Sequence, residues 1–415
     1  MPLRALALAA FLTSALASPA SELFREASFY LEFYYYGPAQ TPPQEVTARY
    51  HEQLEQACAP QGEACGFEVA RPLIAQMLRD LGDGHTYYLA PEDFRSALER
   101  AGGTAAARPL VGLQLGPAVP GAVLIQDIVT GSPAEAAGLR PGDRIVGVNG
   151  TPPSSAEVLR QQLASDAPVR LQIARGDVAR PEQLEVSLRR RAVVPLELPY
   201  AYNLPNPPGV VVIRIPQFAT YGQVGPRVHA LVRQAQEQHA QAILLDARNN
   251  GGGEETECVS AAAAFIGDYE ISMQSRLGRS PLGFREGATL GNDPRDPRGY
   301  SIPAATLWRG PVAVLVNRRS ASCAEVFAYL LQRAGRAPVV GERTAGVTNT
   351  ATDFFPLLDH SAVAITYVRT LNSDGSPLPD FVQPDAPVSD DPAAWLRTGR
   401  DPVIERALEV LRLRH

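Results

Sequence analysis

In the stretch RRSASCAEVF, Arg318–Phe327, three side chains able to act as nucleophiles follow the apolar run PVAVLV and precede a helical pattern. They are Ser320, Ser322 and Cys323. A hydroxyl or thiol at such a junction lies near the positive end of a helix dipole, which favours a nucleophile and its anionic intermediate. The same spacing has a plainer use, because Ser322 and Glu325 stand three apart as in a capping box. A second run, LLDARNNGGG, ends an apolar strand at Asp246 and reaches Gly251, Gly252 and Gly253. Missing side chains there let backbone N–H groups approach a ligand and donate to a developing oxyanion, although a tight strand-to-helix connection uses glycine as readily. A third run, LGDGHTYYLAPEDF, sets His85 on a turn with Asp83 and Tyr88 close in sequence. An imidazole can accept a proton from a nucleophile and return it to a leaving amine.

Three kinds of element must position these groups. Residues 21–107 read as short helices, with apolar residues recurring at three and four through SELFREASFYLEFYYY, EVTARYHEQLEQA and FEVARPLIAQMLRDL, then PEDFRSALERAG with Pro91 near its start. This predicts a small N-terminal helical cap. Residues 108–192 read as short strands with Gly and Pro turns and one helix at SSAEVLRQQLA. From 193 to 415 near-continuous apolar strands alternate with helices, which predicts an α/β domain whose sheet is covered by helices.

The segment GSPAEAAGLRPGDRIVGVNGTPP resembles a PDZ domain through Gly138, Leu139, Pro141, Gly142, Asp143 and the Val148-Asn149-Gly150 turn. In that family a strand preceded by a Gly-containing loop binds an extended peptide by strand addition and holds its terminal carboxylate with backbone amides. Val111, Gly112 and Leu113 would be the matching loop. Taken in order, LGDGHTYYLAPEDF, the PDZ segment, LLDARNNGGG, VNRRSASCAE, VVGERTAG and VQPD resemble the C-terminal processing, or tail-specific, serine peptidases. The resemblance implies a PDZ domain joined to a crotonase-like (ClpP/crotonase) α/β core, cleaving exported polypeptides near unstructured or apolar C-termini. It puts the nucleophile on Ser322 and the oxyanion donors on the Gly251–Gly252 region and the Cys323 amide. Ser320 falls on the small residue two positions earlier. Cys323 as nucleophile is the weaker alternative.

One departure from the family pattern concerns the base. Many of these enzymes use a Ser-Lys dyad, and the matching position here is Val347. All 38 basic residues of this chain are arginine, so no lysine can supply the dyad from elsewhere. Arginine cannot replace it, since its pKa above about 12 leaves no neutral form near pH 7. Of the six histidines, His415 is terminal, while His51, His229 and His239 fall on helical stretches and read as surface residues. His360 falls in a hairpin turn, and His85 remains. A related branch, the tricorn-like core proteases, pairs a serine with a histidine in the segment equivalent to LGDGHTYY. That branch also orients its histidine with a serine and a glutamate, and Gly84 stands where the serine would be. Asp380 in LPDFVQPD is the expected orienting acid.

The 415 residues suffice for two or three domains, and the 45% hydrophobic content can fill their cores. The net charge of −6 without a basic stripe speaks against a nucleic-acid partner. The opening MPLRALALAAFLTSALASPA has an early Arg, a short apolar run and small residues at Ala15 and Ala17, which predicts a signal peptide over 1–20 and an exported, periplasmic or extracellular protein without a membrane span after cleavage. Cys58 and Cys65 are close enough to pair in an oxidising compartment, and Cys258 and Cys323 read as buried apolar residues. No metal or other cofactor is expected, since the Cys spacing is unlike a zinc site. Polypeptides, with C-terminal tails at the PDZ domain, are the expected partners. The competing expectation is an inactive peptide-binding protein on the same scaffold.

Overall fold

The computed structural model describes residues 18–291 and 299–412. Most of the expected signal peptide, and His415, lie outside the described residues. The chain divides into two compact units, Met1–Phe94 with Thr352–Tyr367 and Arg95–Ala351 with Val368–His415.

In the first unit Ser18 caps a helix over Pro19–Tyr34, its hydroxyl accepting the Ser21 N–H at 3.2 Å. This helix therefore starts two residues before the boundary expected at Ser21. Helices Pro43–Cys58 and Phe67–Asp80 pack with it through Leu23, Leu31, Leu54, Ile74 and Met77, all buried. Each such side chain contributes about 1.5–3 kcal/mol when fully buried. Cys58 and Cys65 are bonded as the spacing predicts, tying the end of the second helix to the turn before the third. A segment from far along the chain completes this core: Phe355, Leu357, Val363 and Ile365 join it, and Ala362–Ala364 pairs antiparallel with the strand Tyr87–Leu89. Helical periodicity carries no sign of such a distant partner.

The second unit contains two bodies. One is a five-stranded antiparallel sheet, ordered Leu113–Val119, Ala122–Ile128, Arg144–Val148, Val169–Arg175 and Glu182–Leu188. Its inward residues Val123, Ile125, Ile145, Leu171 and Ile173 pack on Leu159 of the helix Ala156–Leu163. The other is a six-stranded sheet. In it Val210–Arg214, Ala242–Asp246, Val312–Val316, Val339–Gly341 and Ala386–Pro387 run parallel, and Tyr200–Asn203 is antiparallel at one edge. Every residue of Val210–Arg214, Ala242–Asp246 and Val312–Val316 is buried, the expected pattern for parallel strands covered on both faces. The helix Pro402–Val410 closes one face with Val403, Ile404, Ala407 and Leu408. A hairpin of Tyr269–Ser275 and Gly278–Arg285, whose first strand also pairs antiparallel with Val368–Leu371, was not foreseen from the sequence.

A row of buried charges joins the two bodies. Asp127, on the antiparallel sheet, accepts from Arg214 Nη2 at 2.8 Å and from the Tyr200 hydroxyl. Arg214 Nη1 also donates to the Asp246 carbonyl at 2.9 Å. Arg248 then pairs with Asp246 at 2.7 Å, Asp401 at 2.8 Å and Asp390 at 3.0 Å. Paired with opposite charges and fully hydrogen-bonded, these groups avoid the several kcal/mol that an isolated buried ion costs. Both guanidinium groups are held above their ordinary range by the carboxylates around them, against the opposing effect of burial.

Candidate active site

The site forms at the carboxyl ends of two adjacent parallel strands, Ala242–Asp246 and Val312–Val316, in register through Asp246 opposite Leu315. The turn after each strand is tied to the other. Ala321 N–H donates to the Asn250 carbonyl at 2.9 Å, and Ser320 Oγ donates to the Ala247 carbonyl at 2.8 Å. Asn317 accepts the Asn249 N–H at 2.9 Å and donates to the Asn249 side chain at 3.0 Å. The Ser320 hydroxyl also accepts the Asn317 N–H at 3.0 Å and is buried, so it serves the turn and not the chemistry.

Ser322 is at the N-terminus of the helix Cys323–Arg333, and of the capping box that the spacing predicts the Glu325 half is made, its carboxylate accepting the Ser322 amide. That amide donates to Glu325 Oε2 at 2.9 Å, and the Glu325 amide donates to the Ser322 carbonyl at 2.8 Å. The backbone separates Ser322 from a plain cap. Ser18, Ser132 and Ser155 cap helices of this chain with φ −67, −87 and −160°, whereas Ser322 has φ 54° and ψ −121°. An N-cap needs only an extended residue. A left-handed serine here costs about 1–3 kcal/mol, and such outliers concentrate at functional sites.

Gly252 passes directly beside it. At φ +102°, a Cβ on Gly252 would lie 2.7 Å from the Ser322 Cβ and 3.1 Å from the Cys323 nitrogen, so only glycine lets the two turns come this close. Of the expected oxyanion donors, Gly252 has its N–H engaged, donating to Asn250 Oδ1 at 2.8 Å. Asn250 is fully buried and donates in turn to the Ile215 carbonyl at 3.0 Å. Gly251 precedes it in the same turn. Cys323 is the first residue of its helix, where an amide has no acceptor within the helix.

Cys323 is not the buried free thiol expected from sequence. It is bonded to Cys258 in the helix Glu255–Ile266, 65 residues earlier, and therefore cannot attack a substrate. Spacing hides this pair because only the packing of two helices brings the residues together.

Val347, at the position matching a dyad lysine, has its N–H on the same Glu325 oxygen that takes the Ser322 amide, at 3.0 Å. Glu325 Oε1 accepts from Gly346 N–H at 2.9 Å and from the Thr344 hydroxyl. Expected as the capping-box partner of Ser322, Glu325 also holds the 344–347 turn beside the serine. Asp380 accepts from Asn349 Nδ2 at 2.7 Å in an exposed stretch.

His85 belongs to the first unit and is buried on the turn between the helix Phe67–Asp80 and the strand Tyr87–Leu89. Its amide donates to Asp83 Oδ1 at 2.9 Å, and Asp83 Oδ2 accepts from Thr86 at 3.0 Å, so this acid shapes the turn. His51 and His239 are exposed, and His360 occupies its hairpin turn with φ 67°. His229 is not at the surface: it is 1% exposed, its Nε2 meets the Ser260 carbonyl at 2.9 Å and its Nδ1 accepts the Thr306 N–H at 2.9 Å. Its polar helix neighbours concealed these partners, which come from remote segments. Burial pushes the imidazole below its ordinary range. Below about pH 6.5 the unfolded chain binds a proton that the folded chain refuses, so stability should fall as pH drops through that value. Thermal melts between pH 5 and 7.5 check this, and the slope should flatten in His229→Gln.

On the antiparallel sheet Leu113 opens an edge strand, which pairs on one side with Ala122–Ile128. The Val111 carbonyl accepts the Ala134 N–H at 2.9 Å, and Gly112, at φ +85°, lies against Ser132. Val111 and Gly112 therefore lead into Leu113 at the start of an edge strand of this sheet, and the helices Ala156–Leu163 and Pro392–Thr398 both lie against that strand.

The pattern for peptidase family S41 matches residues 209–388, and that for a PDZ domain matches 124–175. The segment 209–388 belongs to peptidase family S41, a family of serine peptidases. The chain is 28% identical over 353 residues to a carboxyl-terminal-processing protease of Picosynechococcus sp., covering 81% of this chain and 78% of the relative. It is 30% identical over 317 residues to the chloroplastic C-terminal processing peptidase of Tetradesmus obliquus, covering 71% of this chain and 62% of that one. A putative S41 protease from Bacteroides fragilis shares the fold, with a TM-score of 0.55 at 15% identity over 94% of this chain and 97% of the other.

Proposed function

We propose that this chain is an exported serine endopeptidase that cleaves polypeptides near C-terminal or unstructured segments. Ser322 attacks the peptide carbonyl, and the tetrahedral oxyanion is held by the Cys323 amide and the Gly251–Gly253 turn. His85 takes the serine proton and returns it to the leaving amine, with Asp380 as the orienting acid. The core is crotonase-like and the N-terminal helices act as a cap. The domain with Val111, Gly112 and Leu113 receives a C-terminal tail along its edge strand Leu113–Val119. The observation that carries this reading is the left-handed backbone of Ser322 against Gly252 at a helix N-terminus. Export is supported by two disulfides, which persist in oxidising compartments. Among the described residues no helix is long and apolar enough to cross a membrane.

Labelling with a fluorophosphonate, followed by peptide mapping, tests the reading. The wild type should label at Ser322, Ser322→Ala should not label, and His85→Ala should label and hydrolyse peptides about 10²–10⁴-fold more slowly. Unchanged labelling of His85→Ala would remove the histidine from the mechanism. A second reading, a peptide-binding protein without activity, is favoured by Val347 at the dyad-lysine position. Absent labelling together with binding of tail peptides would select it.

A further inference from the structure

The disulfide between Cys258 and Cys323 occupies an unusual place in the chain. Cys258 lies in the helix that begins directly after Gly251–Gly253, and Cys323 directly follows Ser322. The bond therefore ties together the helices that leave the two halves of the candidate oxyanion site. The hydrogen bonds already described between these halves, from Ala321 to Asn250, Ser320 to Ala247 and Asn317 to Asn249, join residues that precede Gly251 and Ser322 in the chain. The disulfide is a covalent tie between residues that follow them. Both cysteines are buried, at 0 and 2% exposure. Tolerance here is small, because a single added methyl on Gly252 would already collide with Ser322.

We propose that the Cys258–Cys323 disulfide is a positioning element for catalysis, holding the Cys323 amide in register with the Gly251–Gly253 turn, so that the protein turns over peptides fully only in its oxidised form. The proposal rests on the serine-peptidase reading. Loss of the bond frees the first turn of the Cys323–Arg333 helix to shift against the glycine turn. A misplacement of about 1 Å costs about 10²-fold in rate, while substrate held at the PDZ edge is unaffected. Reduction is balanced by a dithiol: its thiolate attacks one sulfur, the second thiolate closes the mixed disulfide, and two electrons and two protons leave Cys258 and Cys323 as thiols.

The test compares two paired substitutions with the wild type, well below each protein's melting temperature. Cys258→Ala with Cys323→Ala removes this bond, and Cys58→Ala with Cys65→Ala removes the other one. The first pair should lower kcat and the rate of fluorophosphonate labelling about 10- to 100-fold with KM within about twofold, and the second pair should lower only the melting temperature. Wild-type kcat in the folded first pair, or an equal kcat loss in both pairs, would overturn the proposal. Wild type that neither hydrolyses peptides nor labels at Ser322 would instead overturn the peptidase reading, and the proposal with it. If the first pair does not fold, wild type is treated with increasing dithiothreitol and its activity read before alkylation and peptide mapping. Activity should fall in step with alkylation of Cys258 and Cys323; activity kept after that pair is fully reduced would overturn the proposal.

Discussion

Replacing Ser322 by glycine should move activity and stability in opposite directions. Peptide hydrolysis should fall by at least about 10⁴-fold, since the attacking oxygen is gone. The melting temperature should rise. Ser322 holds φ 54° and ψ −121°, a conformation that costs a residue with a Cβ about 1–3 kcal/mol and costs glycine little. Against that gain stand a few tenths of a kcal/mol for glycine at the N-cap position and somewhat under 1 kcal/mol for the freer unfolded chain. The net expectation is stabilisation of about 1 kcal/mol. Ser322→Ala separates the two effects, because it removes the nucleophile and keeps the strain. Calorimetry beside a peptidase assay checks both. A glycine variant that melts below wild type would mean that the serine is serving its helix and that its backbone stores no strain for catalysis.

The second large effect is expected at Glu325, and it should appear first in stability. Its buried carboxylate accepts four hydrogen bonds, from the Ser322, Gly346 and Val347 amides and the Thr344 hydroxyl. In Glu325→Gln one oxygen becomes an NH2 group facing donors, so two of them lose their acceptor. At about 1–3 kcal/mol for each buried group left unsatisfied, the loss should be about 2–6 kcal/mol by urea denaturation. Labelling at Ser322 should slow as well, because the 344–347 turn would no longer be tied to the nucleophile's amide. A loss below about 1 kcal/mol would show that the turn is held by other contacts.

Much of this site was legible because its signals are local. Apolar runs at Ala242–Asp246 and Val312–Val316 marked the parallel strands, the glycines marked the close approach, and the order of motifs selected Ser322 over Ser320. What escaped was non-local. The pairing of Cys258 with Cys323 spans 65 residues, and the burial of His229 depends on a carbonyl at 260 and an amide at 306. The contribution of residues 352–367 to the N-terminal helices is of the same kind. Nor does a glycine run reveal which amides stay free: Asn250 takes that of Gly252, and only the folded turn shows it.

The missing lysine has another consequence in the charged row between the two bodies of the second unit. Both of its cations, Arg214 and Arg248, are guanidinium groups, which keep their protons beyond about pH 12. An ammonium in either place, with its lower ordinary pKa, would discharge at a lower pH than the guanidinium and leave Asp127 or Asp401 buried without a counterion. The composition that takes a customary base away from Val347 thus makes the seam beneath the PDZ domain resistant to alkali.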